Sequence, residues 1–178
     1  MNYIHITKEN IDKEHICCAM SGKQSIAKKE WLRQRFDEGL VFYRSVERGK
    51  CFIEYIPAEN AWMPIVADGR LYIDCLWVSG SMKGHGYSSD LLGECIRDAE
   101  VQGKKGICIL CTEGRKREFL ADPKFLKYKG FKVADISDCG INLMYLPLAE
   151  STQPPKFKAC AKHPKVEENG FVLYYTDQ

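Results

Sequence analysis

The chain has 178 residues, enough for one domain with at most a small appendage, and its hydrophobic fraction of 45% excludes general disorder. A formal net charge of +2 is too small to imply nucleic acid or a membrane surface as partner, and no run approaches the roughly 18 apolar residues of a membrane span. The opening MNYIHITKEN lacks the apolar core and cleavage pattern of an export signal, so a soluble cytoplasmic protein is expected.

The predicted elements begin with a short strand over residues 3–7. A helix follows from the cap candidate Asn10 to about Met20, where Ser21-Gly22 breaks it. A second helix over residues 25–38 places Ile26, Trp31, Leu32 and Phe36 near one face, and Gly39 stops it. LVFYRSVE and CFIEYIPA, joined by Arg48-Gly49-Lys50, read as a hairpin. Pro57, Pro64 and Asp68-Gly69 mark an irregular connection that carries Trp62 and Met63.

Residues 71–79 form the next strand. A glycine-bearing loop and an amphipathic helix over residues 88–102 follow directly. Leu91, Leu92, Cys95, Ile96 and Ala99 make that helix's apolar stripe, which is core packing. A strand over residues 106–112, a short helix over 123–129 opened by Pro123, and strands over 131–136 and 141–148 complete the pattern. This order implies a mixed β-sheet flanked by helices, an α/β class chain, within residues 1–149. Residues 150–178 change character: a polar, proline-bearing linker leads to GFVLYYTDQ, which reads as one more strand.

Nine cysteines make the chain rich in thiols, but their number is odd and no export signal accompanies them, which argues against a disulfide framework. Most sit in apolar runs as small buried hydrophobes. Cys108-x-x-Cys111 with Cys160-x-x-His163 spells a four-ligand zinc set. The first pair lies in a strand, where side chains three apart point to opposite faces, so no metal site is assigned.

The loop is the most informative segment. An apolar strand runs into Ser81-Met82-Lys83-Gly84-His85-Gly86, and a helix starts at once. Glycines two apart allow unusual dihedrals, and a helix that begins there aims its unpaired N–H groups into the loop. A phosphate or pyrophosphate suits that arrangement. A plain tight turn between strand and helix needs similar residues. Ser89 replaces the third glycine of a GxGxxG fingerprint, and no Walker A lysine follows.

The strand, loop and helix together resemble the acetyl-CoA-binding motif of the GCN5-related N-acetyltransferases, usually written Q/R-x-x-G-x-G/A. Downstream, Phe125-Leu126-Lys127-Tyr128-Lys129-Gly130-Phe131 resembles that family's frequent F-Y-x-x-x-G-F segment. The resemblance spans about residues 1–148 and implies an acyl-CoA N-acyltransferase-like fold. It also implies transfer of the acetyl group of acetyl-CoA to an amine of a small molecule or peptide by direct attack. The cofactor-binding positions implied are main-chain groups of Leu76, Trp77 and Val78 for pantetheine. For the pyrophosphate they are the loop residues Met82, Lys83, Gly84, His85, Gly86, Tyr87 and Ser88. His85 is expected to face solvent beside the phosphates. Arg115, Lys116 and Arg117 read as a solvated loop, with a CoA phosphate contact as the sharper alternative.

Two departures qualify the resemblance. Ser81 stands where relatives carry Gln or Arg, and Leu126 where many carry a tyrosine that protonates the leaving thiolate. Tyr128 is the substitute acid, although two positions along a helix face a different side. Direct attack needs a neutral amine, so a carboxylate must accept a proton, and Glu54 and Asp74 are the candidate bases. Each also reads as an outward, solvated or ion-paired residue. A non-catalytic acyl-CoA sensor and a thiol-redox protein built on Cys17-Cys18 are the competing functions. The tail further resembles the start of the YoaP-type region that some relatives carry.

Overall fold

The computed structural model describes residues 1–16, 22–112, 120–150 and 152–163. Its centre is a seven-stranded sheet in the order β1-β2-β3-β5-β6-β8-β7. The strands are β1 (Tyr3–Ile6), β2 (Val41–Ser45), β3 (Cys51–Pro57), β5 (Leu71–Val78), β6 (Gly106–Thr112), β7 (Lys132–Ile136) and β8 (Ile141–Pro147). Neighbours run antiparallel except β5 and β6, which are parallel. A parallel pair needs a crossover, and α2 (Tyr87–Val101) supplies it. Helix α1 (Gly22–Phe36) covers the opposite face, and α3 (Pro123–Tyr128) precedes β7.

Alternation along the strands divides the core into two layers. Phe42, Phe52, Ile56, Tyr72, Cys108, Leu110 and Leu143 face the α1 side. Ile53, Tyr55, Leu71, Ile73, Ile107, Ile109, Cys111 and Met144 face α2, whose Leu91, Leu92, Cys95 and Ala99 are buried there. Cys108 and Cys111 thus lie on opposite faces, as their spacing on a strand requires. At the start of α3, Pro123 follows the capping Asp122, whose carboxylate accepts from the Lys124 N–H at 2.9 Å.

Three expectations change. Residues after Asn10 form turns, with Asn10 Oδ1 accepting from the Thr7 N–H at 2.9 Å; residues 17–20 of the expected helix lie outside the described residues. On α1, Ile26 is exposed, and the buried positions are Leu32 and Arg35. The inner stripe is Lys28, Leu32 and Arg35, one helical face at i, i+4 and i+7, because an acidic side chain awaits it on the sheet.

The segment read as a linker is also structured. Residues 152–163 contain β9 (Lys156–Phe157) and α4 (Ala159–Lys162). Strand β9 pairs antiparallel with β4 (Ile65–Val66), a short strand inside the connection after β3. On its other side Asp135 of β7 accepts from the Phe157 N–H at 3.0 Å and pairs with Lys162. Phe157 is buried in the core layer on the α1 side. The strap therefore closes that side of the sheet. The strand expected over GFVLYYTDQ lies outside the described residues.

Phe157→Ala should cost about 3 kcal/mol of stability, the usual penalty for emptying a buried phenylalanine site, read as a lower urea midpoint. An unchanged midpoint would show that the strap is not part of the domain. A second expectation comes from buried acids. Burial pushes the Cys108 thiol from its usual 9.0 up to about 12, and burial raises the Cys95 thiol and the Tyr72 phenol too. These groups hold their protons more tightly folded than unfolded. Their contribution to stability is full below about pH 9 and is lost as pH rises towards 12. Denaturation midpoints measured across that alkaline range should fall steadily.

Candidate active site

The site begins with a register fault. Glu54 of β3 pairs with Cys75 of β5, while the next residue, Tyr55, pairs with Ile73. The register skips Asp74, which makes it the extra residue of a β-bulge. Bulges bend a strand and increase its local twist. On the other edge, β5 pairs with β6 only through Leu71↔Ile107, Tyr72↔Cys108 and Ile73↔Ile109. Both strands run on, β5 to Val78 and β6 to Thr112, but they have parted.

A cleft opens in that gap. Tyr72, Ile73, Asp74, Cys75 and Leu76 line one side, and Ile109, Leu110, Leu120 and Ala121 the other. An Asp in an apolar strand was the only sequence signal for this bulge. Asp74 stands at the cleft wall, half-buried, and its charge contributes to raising both Tyr72 and Cys108.

Beyond Val78 the chain turns through residues 80–82 into the glycine loop. Met82 is buried in the α2-side core, and its N–H already donates to Ser79 O, as the Lys83 N–H does to Gly80 O, both at 3.3 Å. Gly84 and Gly86 both adopt φ 82°, the left-handed region that L side chains avoid. Gly86 is the residue before α2, and it caps the helix with no side-chain bond. Its carbonyl accepts from the Ser89 and Asp90 N–H groups at 2.8 and 3.2 Å. Among the described residues, no acceptor meets the N–H groups of Gly84, His85, Gly86, Tyr87 or Ser88. The His85 ring is exposed and stacks on Tyr87 with centroids 5.5 Å apart. The unpaired donors thus start at Gly84, two residues later than the sequence reading placed them.

Leu76, Trp77 and Val78 lie on the part of β5 that β6 has released. Leu76 and Val78 lean on the α2-side core, and Trp77 leans the other way with Lys50 Nζ 4.5 Å above its ring. Glu54 leaves β3 towards α1, where its side chain is 2% exposed and bonds Lys28 Nζ at 2.8 Å. Lys28 also stands 3.7 Å over the Trp31 ring. Arg35, buried beside them, lies over Trp31 at 5.6 Å and Trp62 at 4.7 Å. The sequence reading missed Lys28 and Arg35 because charged residues on a helix are normally assigned to its wet side.

On α3, Leu126 is fully buried in the α2-side core, whereas Tyr128 is exposed with Lys129 Nζ 5.4 Å from its ring. Asp74 lines the cleft, Glu54 sits across the β3–β5 ladder from Cys75 with its side chain turned to Lys28, and Tyr128 is not among the lining residues. Arg115, Lys116 and Arg117 lie outside the described residues.

A parallel pair that splits at a bulge, followed by a glycine loop and a helix, defines an acetyltransferase-type frame. No protein-family model matches the chain. A putative acetyltransferase of the GNAT family from Desulfovibrio desulfuricans superposes with a TM-score of 0.56 at 12% identity, covering 83% of this chain and 100% of that one. YncA of Salmonella typhimurium, a putative acetyltransferase solved with acetyl-CoA, gives 0.59 at 16% identity over 86% of this chain and 97% of that one. These likenesses establish the fold. The chain is also 45% identical over 182 aligned positions to the uncharacterized N-acetyltransferase YoaP of Bacillus subtilis strain 168. That alignment covers all of this chain and 72% of YoaP. The chain belongs to the GCN5-related N-acetyltransferase family.

The left-handed loop positions generate a stability test independent of any ligand. Gly86→Ala should lower stability by about 1 kcal/mol, because an added Cβ strains φ > 0, even though that Cβ would meet nothing within 4 Å. A thermal melt reads it, and no change would mean the loop relaxes freely.

Proposed function

We propose that the chain transfers the acetyl group of acetyl-CoA to an amine acceptor by direct attack. One pair of observations carries the reading: β5 leaves β6 after Ile73 with a narrow cleft in the gap, and the same strand runs on into the loop whose Gly84–Ser88 N–H groups meet no acceptor among the described residues. These residues fit a CoA thioester. Free amides at the start of α2, at the positive end of its dipole, suit a diphosphate. Main-chain groups of Leu76, Trp77 and Val78 suit the amides of a pantetheine arm. Met82 and Lys83 hold the turn that aims the loop, while His85 and Tyr87 flank it.

Acetyl-CoA supplies the activated thioester, and the chain supplies position and proton handling. An amine enters from the α1 side. Asp74 at the cleft wall, or Glu54 on the α1 side of β3, takes its proton directly or through water, as general-base catalysis requires. An N–H of the released strand faces the carbonyl oxygen as it gains charge. Tyr128 serves as the acid that returns a proton to the leaving thiol, acting through water because its ring stands in solvent. The acceptor is a small-molecule or peptide amine, met in the cytoplasm. Among the described residues, no helix is long and apolar enough to cross a membrane.

The buried Leu126, at the position of the usual tyrosine, favours a second reading: an acyl-CoA-binding sensor without turnover. Release of free CoA with a panel of amines separates the two. Glu54→Gln and Asp74→Asn should each lower turnover at neutral pH by about 100-fold, with acetyl-CoA affinity little changed by calorimetry; unchanged turnover in both would discard the base assignment. The double variant Gly84→Val/Gly86→Val should weaken acetyl-CoA binding by about tenfold or more, ~1.4 kcal/mol. Equal affinity in that variant would remove the loop from the reading.

A further inference from the structure

The Lys28 amine is bonded to Glu54, a carboxylate that the proposed reaction assigns to take a proton. Lys28 Nζ is 2.8 Å from Glu54 Oε1 and 3.7 Å from the Trp31 ring centroid, and its side chain is only 12% exposed. Glu54 is the register partner of Cys75, which follows the bulged Asp74 and lines the cleft. Opposed residues in an antiparallel pair bring their Cβ atoms to ~5 Å. Cys75 packs against the α1-side core, the side from which Lys28 reaches Glu54. A stem from α1 therefore brings a primary amine to the carboxylate that sits across the ladder from a cleft-lining residue. Among the described residues the other buried cations, Arg35, Arg44 and Arg70, carry guanidinium groups, which stay protonated and do not attack carbonyls.

We propose that Lys28 is a self-acetylation site, modified within its own chain by the acetyl group of acetyl-CoA. This rests on the transferase reading above and adds a target to it. The Lys28 ammonium gives one proton to Glu54, and the freed nitrogen attacks the acetyl carbonyl. The N–C bond forms and the C–S bond breaks. The second proton goes to the departing thiol, and Glu54 releases the first to water. The product amide is uncharged, so it ends both the ion pair with Glu54 and the cation–π contact with Trp31.

The test incubates the purified chain with acetyl-CoA and no added amine, then maps its peptides by mass spectrometry. One acetyl group on Lys28 is expected, gained at a rate per molecule that does not depend on protein concentration. Tryptophan fluorescence should change in step, because the cation leaves Trp31. Uncatalysed acetylation would instead favour open lysines such as Lys8, whose side chain is 45% exposed. Lys28→Arg keeps the charge and the ring contact and should leave the chain unmodified, and Glu54→Gln should slow the modification by about tenfold or more. The proposal is overturned if acetyl-CoA binds and added amines are acetylated while Lys28 stays unmodified. Acetyl groups confined to exposed lysines overturn it equally. If acetyl-CoA does not bind at all, this proposal and the transferase reading fall together, so the two failures are told apart.

Discussion

The β3–β5 register skips Asp74, and that single bulged residue determines where the sheet opens. A parallel pair keeps its evenly spaced bonds only while both strands twist alike. The bulge adds twist to β5 alone, and the pairing with β6 stops at the residue before it. Beyond Ile73 that edge of β5 no longer pairs with β6. Because β5 leads straight into the glycine loop and α2, the same strand that opens the cleft also aims the unpaired amides of Gly84–Ser88. Cleft and loop are consequences of one distortion.

The face opposite α2 is organised around a second constraint. Glu54 is almost fully buried, and a carboxylate removed from water must be compensated by a partner. Helix α1 meets that demand with Lys28, and its stripe of Lys28, Leu32 and Arg35 packs inward while Ile26 points to solvent. Buried ion pairs add little net stability and are costly to break. Trp31 and Trp62 complete the setting by covering the cations with ring faces.

The strands and α2 were legible because their signals are local. Apolar runs such as LYIDCLWV and GICILCT, and the stripe of Leu91, Leu92, Cys95 and Ala99, need no knowledge of neighbours. The glycine loop was legible for the same reason, since left-handed dihedrals leave a residue-type mark. The bulge was not, because it is a property of register between β3 and β5, and the sequence shows only an unexplained Asp. On α1 the periodicity argument placed Trp31, Leu32 and Phe36 against the core, as they are, but also Ile26, which is exposed, while Lys28 and Arg35 turn inward to partners on other elements. Residues 152–163 looked like a linker for a related reason. Their polarity is real, but Lys156, Lys158 and Lys162 flank one buried Phe157, and the partners that hold them, β4 and Asp135, are distant in sequence.

That strap bears on how the molecule is made. Phe157 belongs to one buried layer with residues contributed by distant parts of the chain, among them Phe42, Tyr72 and Leu143. A ribosome must therefore release about residue 163 before the α1-side layer can complete. Until then the nascent polypeptide carries an open hydrophobic trough beside β4. Contacts this far apart in sequence are the slowest to form, so translation, rather than the sheet's own pairing, sets the moment at which the fold locks.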